Sequence, residues 1–292
     1  MKTIADLRIL LSKELHNRFS ENELKLILKT CVTKRLGISD SEYLLSRRLE
    51  LLDSDYLYFQ SMVERLKADE PFQYVIGSTE FYGLELLSDR RALIPRPETE
   101  ELVEWIALTI EGRTGLQIAD ICSGSGCIAL ALKSISESFD IDALELSSEA
   151  IELIKDNSAY TGLEVNTTKF DALADQYDSL NKEYAVIVSN PPYIPQDDEQ
   201  RMKQNILKYE PHMALFVDDN DAFIFYEIIA ANSARVLEDS GWLFFEIHED
   251  FGALVSNIME SHGFVNIELR KDLQGKERMV RGQKVLSQYE QK

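Results

Sequence analysis

Asn190-Pro191-Pro192-Tyr193 is the stretch whose residue types and spacing could do chemistry. It follows Ala185-Val186-Ile187-Val188, an apolar and mostly β-branched run that ends at Ser189 and reads as a buried parallel strand. Two prolines forbid both ladder pairing and helix, so Asn190 is placed at the carboxyl edge of that strand, where open α/β sheets bind ligands. Asn190 supplies a carbonyl acceptor, and Pro191 a backbone carbonyl with no N–H beside it. Two acceptors suit the two hydrogens of a planar NH2 group, and Tyr193 adds an aromatic face on which a flat amide or base can stack. A nitrogen held in this way can aim its lone pair at an electrophilic methyl group, and such positioning supplies roughly 7–11 kcal/mol of a barrier. Taken alone, the tetrapeptide reads sooner as a proline-rich strand exit with a solvated tyrosine. The stretch about 70 residues upstream changes that balance.

There, residues 116–122 read as a strand, and Ser123-Gly124-Ser125-Gly126 turns into a helix over 127–132. Small residues let backbone pass close to a ligand, and a helix N-terminus favours negative charge such as a carboxylate. The match to Gly-x-Gly-x-x-Gly is incomplete, which weakens a dinucleotide reading. The next strand, 140–146, carries Glu145 near its carboxyl end, 25 residues after Asp120, where an acid can accept both hydroxyls of a ribose. Asp171, in Phe170-Asp171-Ala172, could accept from the exocyclic amine of an adenine, although a lone loop aspartate is more often an Asx-type turn.

The elements that must position these residues follow from periodicity. Residues 1–70 show only helical patterns, at 4–15, 41–51 and 55–66 and in a long run from residue 24. That run opens on a Ser20/Glu23 capping box stapled by Phe19 and Leu24, and it ends at Gly37. This is a small bundle without a catalytic constellation. Over 71–98 the period becomes alternating: 73–77 and 80–86 read as two strands about a Gly77-Ser78 turn. The stiff loop Leu93-Ile94-Pro95-Arg96-Pro97-Glu98 then feeds a helix starting near Thr99. From 99 to 292 strands and helices alternate, with a helix at 148–160 and a strand near Val165. After the central strand come a helix at 222–236, a strand at 241–247, a helix at 251–261 and strands at 265–270 and 278–285. The fold class is therefore α/β: a seven-stranded, mostly parallel, Rossmann-like sheet with one antiparallel edge, preceded by the helical bundle.

Composition narrows the function. Cys31, Cys122 and Cys127 form no Cys-x-x-Cys pair, and their odd number fits a reducing cytosol. His16, His212, His248 and His262 lack metal-ligand spacing, so no metal is expected. The N-terminal stretch has no apolar h-region and no run reaches 18 apolar residues, so a cytoplasmic protein without membrane contact is expected. A net charge of −20 opposes broad binding of a nucleic-acid backbone. Residues 1–70 hold 12 cationic and 12 anionic side chains, so the excess lies beyond them and the front segment is the less repulsive face for a basic or RNA-associated partner.

Together, Pro95 through Glu100, Asp120 through Gly126, Glu145, Asp171, Ser189 through Tyr193 and Glu210-Pro211 resemble the HemK/PrmC protein-glutamine methyltransferases. That family methylates the glutamine side-chain nitrogen in the Gly-Gly-Gln motif of peptide chain release factors. The resemblance spans nearly the whole chain; Asn-Pro-Pro-Tyr alone is shared with DNA adenine and other amino methyltransferases. It implies a methyltransferase sheet that holds S-adenosylmethionine, and releases S-adenosylhomocysteine, over Cys122, Ser123, Gly124, Ser125 and Gly126. The ribose would lie on Glu145, the adenine beside Asp171 and Ala172, and Asn190 between cofactor and substrate. Asn190, Pro191, Pro192 and Tyr193 would bind the substrate amide, with Asn190, Pro191 and Tyr193 catalytic. Release factors are the implied partners, the front bundle their recognition module, and a monomer is expected. Cys122 stands where the family usually has glycine, Glu145 where it has aspartate, and Ala185 where an acid often precedes the strand. The competing readings are an adenine-amino DNA or RNA methyltransferase acting on a flipped base, and a non-catalytic module retaining a nucleotide fold.

Overall fold

The computed structural model describes residues 2–174, 177–195, 199, 204–217 and 222–285. It falls into two compact units, Met1–Gly77 and Ser78–Lys292.

The front unit contains α1 (Ile4–Leu15), α2 (Glu21–Leu36), α3 (Asp40–Leu45), α4 (Asp53–Lys67) and α5 (Phe72–Ile76). Helix α2 starts and stops as its caps dictate. Ser20 and Glu23 exchange side-chain and backbone hydrogen bonds, and Gly37, at φ 64°, donates its N–H to Thr33 O. Leu7, Leu11 and Leu15 recur every fourth residue and are buried against Phe59, Met62 and Leu66. Each such burial contributes about 1.5–3 kcal/mol.

Two expectations fail in this unit. The helix predicted over 41–51 ends at Leu45, because the Ser46 hydroxyl donates to Tyr43 O and a 3-10 turn, Ser46–Arg48, follows. Glu50–Leu51 then pairs antiparallel with Lys2–Thr3. The strand predicted at 73–77 is helix α5. Arg65 donates to Tyr74 O at 2.9 Å and Val75 O at 3.1 Å, satisfying carbonyls that a short helix leaves open, and Gly77 closes it in the left-handed region. The hairpin is accordingly Ser78–Phe81 with Leu84–Leu87, turning at Tyr82-Gly83 and not at Gly77-Ser78.

The second unit is built on the seven-stranded sheet. Its strands are β1 (Gln117–Ile121), β2 (Asp140–Glu145), β3 (Asn166–Lys169), β4 (Tyr184–Ser189), β5 (Leu237–Glu246), β6 (Phe264–Lys271) and β7 (Glu277–Lys284). Their order is β6-β7-β5-β4-β1-β2-β3, parallel except that β7 runs against both neighbours. Helices α6 (Pro97–Thr109), α7 (Cys127–Ile135) and α8 (Ser148–Thr161) precede and connect the first strands. After the short α9 (Gln204–Tyr209), α10 (Ile224–Val236) and α11 (Gly252–Ser261) complete the second layer. The period of two along β4 sends Val186 and Val188 to the core shared with α6 and α7, and Ile187 to the one shared with α10 and α11.

Register brings the strand ends level. Ile121 lies opposite Ser189 and Leu144, and Ser189 opposite Phe245. The next residues, Cys122, Glu145, Asn190 and Glu246, therefore emerge side by side at one carboxyl edge.

Candidate active site

The turn after β1 is shaped by backbone conformation. Cys122 (φ 62°), Gly124 (φ 55°) and Gly126 (φ 79°) all occupy the left-handed region. At Gly126 a Cβ would also meet Ile154 at 3.1 Å, so glycine here permits α7 to pack on α8. Helix α7 has no side-chain N-cap, which leaves first-turn N–H groups for an anion. Behind the turn, Asp120 is fully buried. Its Oδ2 accepts from Ala129 N at 3.2 Å, while Oδ1 has no partner among the described residues. Burial pushes its carboxyl up to about 7.

Glu145 accepts the Gly124 N–H through Oε2 and the Ser147 N–H through Oε1, both at 2.8 Å. Each oxygen keeps a second lone pair. Burial raises its pKa from the usual carboxylate value. Asp171 Oδ1 accepts the Leu173 N–H at 3.0 Å, the Asx-type turn weighed above, while Ala172 O accepts from the buried Tyr177 hydroxyl.

At the end of β4, Asn190 Nδ2 donates to Thr99 Oγ1 at 3.5 Å, and its side chain lies beside Glu246. Thr99 Oγ1 donates to Glu246 Oε2 at 2.7 Å. Asn190 Oδ1 accepts nothing among the described residues. Pro191 is buried and Tyr193 half-buried; the Tyr193 ring lies 6.2 Å from that of His248, and its phenol lies near the Arg278 guanidinium. Burial holds that phenol's pKa well above the usual value.

A cleft of about 1030 Å3, open mouth included, joins these groups. Among the predicted residues, Cys122, Ser123, Gly124, Ser125, Glu145, Asp171, Ala172, Asn190 and Pro192 line it; Gly126, Pro191 and Tyr193 do not. The proline-rich loop forms a further wall and is tied down: Arg96 Nη2 donates to Glu210 Oε1 and Oε2 at 2.7 and 2.8 Å, and Ile94 N to Oε2 at 3.2 Å. Sequence reasoning did not single out Glu246, 2% exposed, or the roles of Thr99 and Arg278. An acid closing the apolar run Trp242-Leu243-Phe244-Phe245 was the signal available for Glu246. Among the described residues no cluster of three or more His, Cys, Asp or Glu could hold a metal ion, and no helix is long and apolar enough to cross a membrane.

Comparison with known proteins adds the following. A family model described as "Methyltransferase small domain" matches residues 99–213, and one described as "PrmC N-terminal domain" matches residues 7–77. A release factor glutamine methyltransferase of Flavobacterium psychrophilum is 36% identical over 266 residues, which cover 90% of this chain and 93% of that protein. Another of that name, from Streptococcus pneumoniae, is 37% identical over 248 residues, 85% and 86% of the two chains. The solved structure of a protein-(glutamine-N5) methyltransferase (release factor-specific) from Alicyclobacillus acidocaldarius is 24% identical with a TM-score of 0.42, covering 66% of this chain and 94% of that one.

Proposed function

The chain belongs to the release factor glutamine methyltransferase family, and from that membership we propose that it transfers a methyl group from S-adenosylmethionine to the glutamine side-chain nitrogen in the Gly-Gly-Gln motif of peptide chain release factors. The observation that carries this reading is the bonding of Asn190, whose NH2 donates to Thr99 while its carbonyl oxygen, at the cleft it lines, has no partner among the described residues. An oxygen presented there accepts from an amide NH2, and the Pro191 carbonyl is the second acceptor the reading assigns.

The residues present fit the cofactor. Glu145 retains lone pairs that would hold a ribose diol, the N–H groups at the very start of α7, before Ala129, would take a carboxylate, and the wall at Asp171 and Ala172 would take the adenine. When bound, the cofactor supplies an electrophilic methyl on a sulfonium. The protein's contribution is to hold and orient the nitrogen. A primary amide N–H is too weakly acidic to be deprotonated beforehand at acceptable cost, and it becomes acidic only as the nitrogen gains the methyl, when the proton can leave to water, so the site needs no general base. The front unit, neutral overall, is the proposed surface for the release factor.

Incubation of the enzyme with S-adenosylmethionine and a release factor, followed by mass spectrometry, should find one added methyl on the Gly-Gly-Gln glutamine. Asn190→Ala should lower kcat by about 100-fold while cofactor Kd changes less than about threefold. Methyl transfer to duplex DNA with none to the release factor would replace this reading with the nucleic-acid one.

A further inference from the structure

We propose that Thr99 and Glu246 are positioning residues that lock the carboxamide of Asn190 in one of its two orientations, and that this lock makes the site select an NH2 group over a carboxylate. The inference deepens the reading above and rests on it for the identity of the substrate.

The two ends of a carboxamide are told apart by their bonding partners. Here the partners form a chain with a fixed direction. An ionised Glu246 can only accept. Thr99 Oγ1–H points at Glu246 Oε2, 2.7 Å away, so the single hydroxyl proton is spent there and the Thr99 oxygen is left as an acceptor. The group 3.5 Å from that oxygen must therefore donate, which places Asn190 Nδ2 inward, toward Thr99 and Glu246. The carbonyl oxygen is what remains for the cleft. The three residues come from the first turn of α6, the exit of β4 and the end of β5. Thr99 is 2% exposed and Glu246 2% exposed, so water does not compete for these bonds.

A flipped Asn190 would present NH2 to the cleft. It would repel the hydrogens of a glutamine amide and attract the oxygens of a glutamate. The lock thus acts on specificity through polarity: Asn190 and Thr99 line the cleft, while Glu246 lies outside its wall and acts through the orientation it imposes.

The state of Glu246 sets the direction. Burial and the nearby Glu98 raise its pKa, while Arg278 and the bonds from Thr99 and Asn190 oppose the rise, leaving it at about 7. Cys127 on α7, Tyr193 beyond β4 and Tyr226 on α10 also face it, and burial keeps all three protonated at neutral pH. A protonated Glu246 can donate, and the direction of the chain is then no longer imposed.

Thr99→Val, which removes the hydroxyl at nearly constant volume, should lower kcat about 10- to 100-fold with S-adenosylhomocysteine Kd within about twofold. Thr99→Ser should restore kcat to within about threefold, and Thr99→Val should bind a Gly-Gly-Glu version of the substrate more tightly than the wild type does. Independently of substrate, protein labelled with 15N-asparagine should show an Asn190 NH2 pair, assigned by its loss in Asn190→Ala. This pair should titrate with a midpoint near that of Glu246 and cease to titrate in Glu246→Gln. An Asn190 NH2 signal indifferent to both Thr99→Val and Glu246→Gln, or a fully active Thr99→Val, would overturn the proposal. Should the NH2 pair titrate as stated while no release factor is methylated, the functional reading fails and the lock stands.

Discussion

Cys122 carries a cost that a glycine would not. At φ 62° a side chain with a Cβ is strained by about 1–2 kcal/mol. The strain persists because the Cys122 and Ser123 N–H groups both donate to Leu144 O, at 2.9 and 3.2 Å, and fix the turn over the end of β2. Its thiol, desolvated and close to the Glu145 carboxylate, is held above the ordinary cysteine range and is therefore no nucleophile at neutral pH. Cys122→Gly should leave the unfolding midpoint nearly unchanged, since relief of strain offsets the larger entropy of the unfolded chain. Cys122→Val should destabilise by about 1–3 kcal/mol, because a β-branched side chain tolerates this conformation least. Calorimetry of both variants checks this, and a Cys122→Val protein as stable as the wild type would mean the turn relaxes. The same turn shows what sequence could and could not reveal at this scale. Asn190 and Glu145 were legible because each ends an apolar strand beside residues of matching chemistry. Glu246 ends such a strand too, yet its meaning depends on a threonine 147 positions away, on α6, that only the packing of that helix on the sheet brings near.

Among elements, the loop between the hairpin and α6 shows how two prolines and one ion pair replace regular structure. Pro97 at the first helical turn sets the start of α6, and the segment before it is held by Glu210, whose side chain is 1% exposed. Removing Arg96 leaves a buried carboxylate with little but the Ile94 N–H. Arg96→Met should therefore destabilise the second unit by about 1.5–3 kcal/mol. Adding Glu210→Gln should recover part of that loss, because the second change removes the stranded charge. Urea denaturation of wild type, both single variants and the double variant measures the coupling. A double variant no more stable than Arg96→Met would show that the loop is held by other means. Most elements were visible in the sequence because apolar period and caps agreed, as in α2 and β4. Residues 73–77 were misread for a physical reason: Tyr74, Val75 and Ile76, one aromatic and two β-branched residues in a row, fit either period, and the deciding contacts come from Arg65, outside the window. The helix over 41–51 was overextended because the Ser46 hydroxyl turns back on Tyr43, a choice that local pattern does not display.

Over the whole molecule, two sets of carboxyl groups pull the pH optimum of stability in opposite directions. Asp120 and Glu246 are raised, from 3.8 and 4.5 respectively, to about 7 by burial. A group whose folded pKa is raised supplies stability below its unfolded pKa and loses it as pH climbs through the folded one, so their contribution falls between about pH 4 and just above 7. The capping-box acids Asp6, Glu23 and Glu42 are lowered by the hydrogen bonds of Thr3, Ser20 and Ser39, and their contribution is lost only as pH drops below the ordinary carboxylate range. Self-repulsion from the net charge of −20 also eases as pH falls toward the pI of about 4.6. The larger unit should therefore melt roughly 3–8 °C higher at pH 6 than at pH 8. Salt separates the two causes. Raising NaCl from 0.05 to 0.5 M should shrink the part due to surface repulsion and leave the part due to the buried acids, whereas Asp120→Asn should shrink the latter. Equal melting temperatures at pH 6 and 8, in low salt, would show that neither buried acid is strained by ionisation. Turnover should move the other way, because the lock on Asn190 has its imposed direction only when Glu246 is ionised. Activity should then rise through pH 7 as stability declines, the opposition expected where a functional site keeps a charge that the fold alone would exclude.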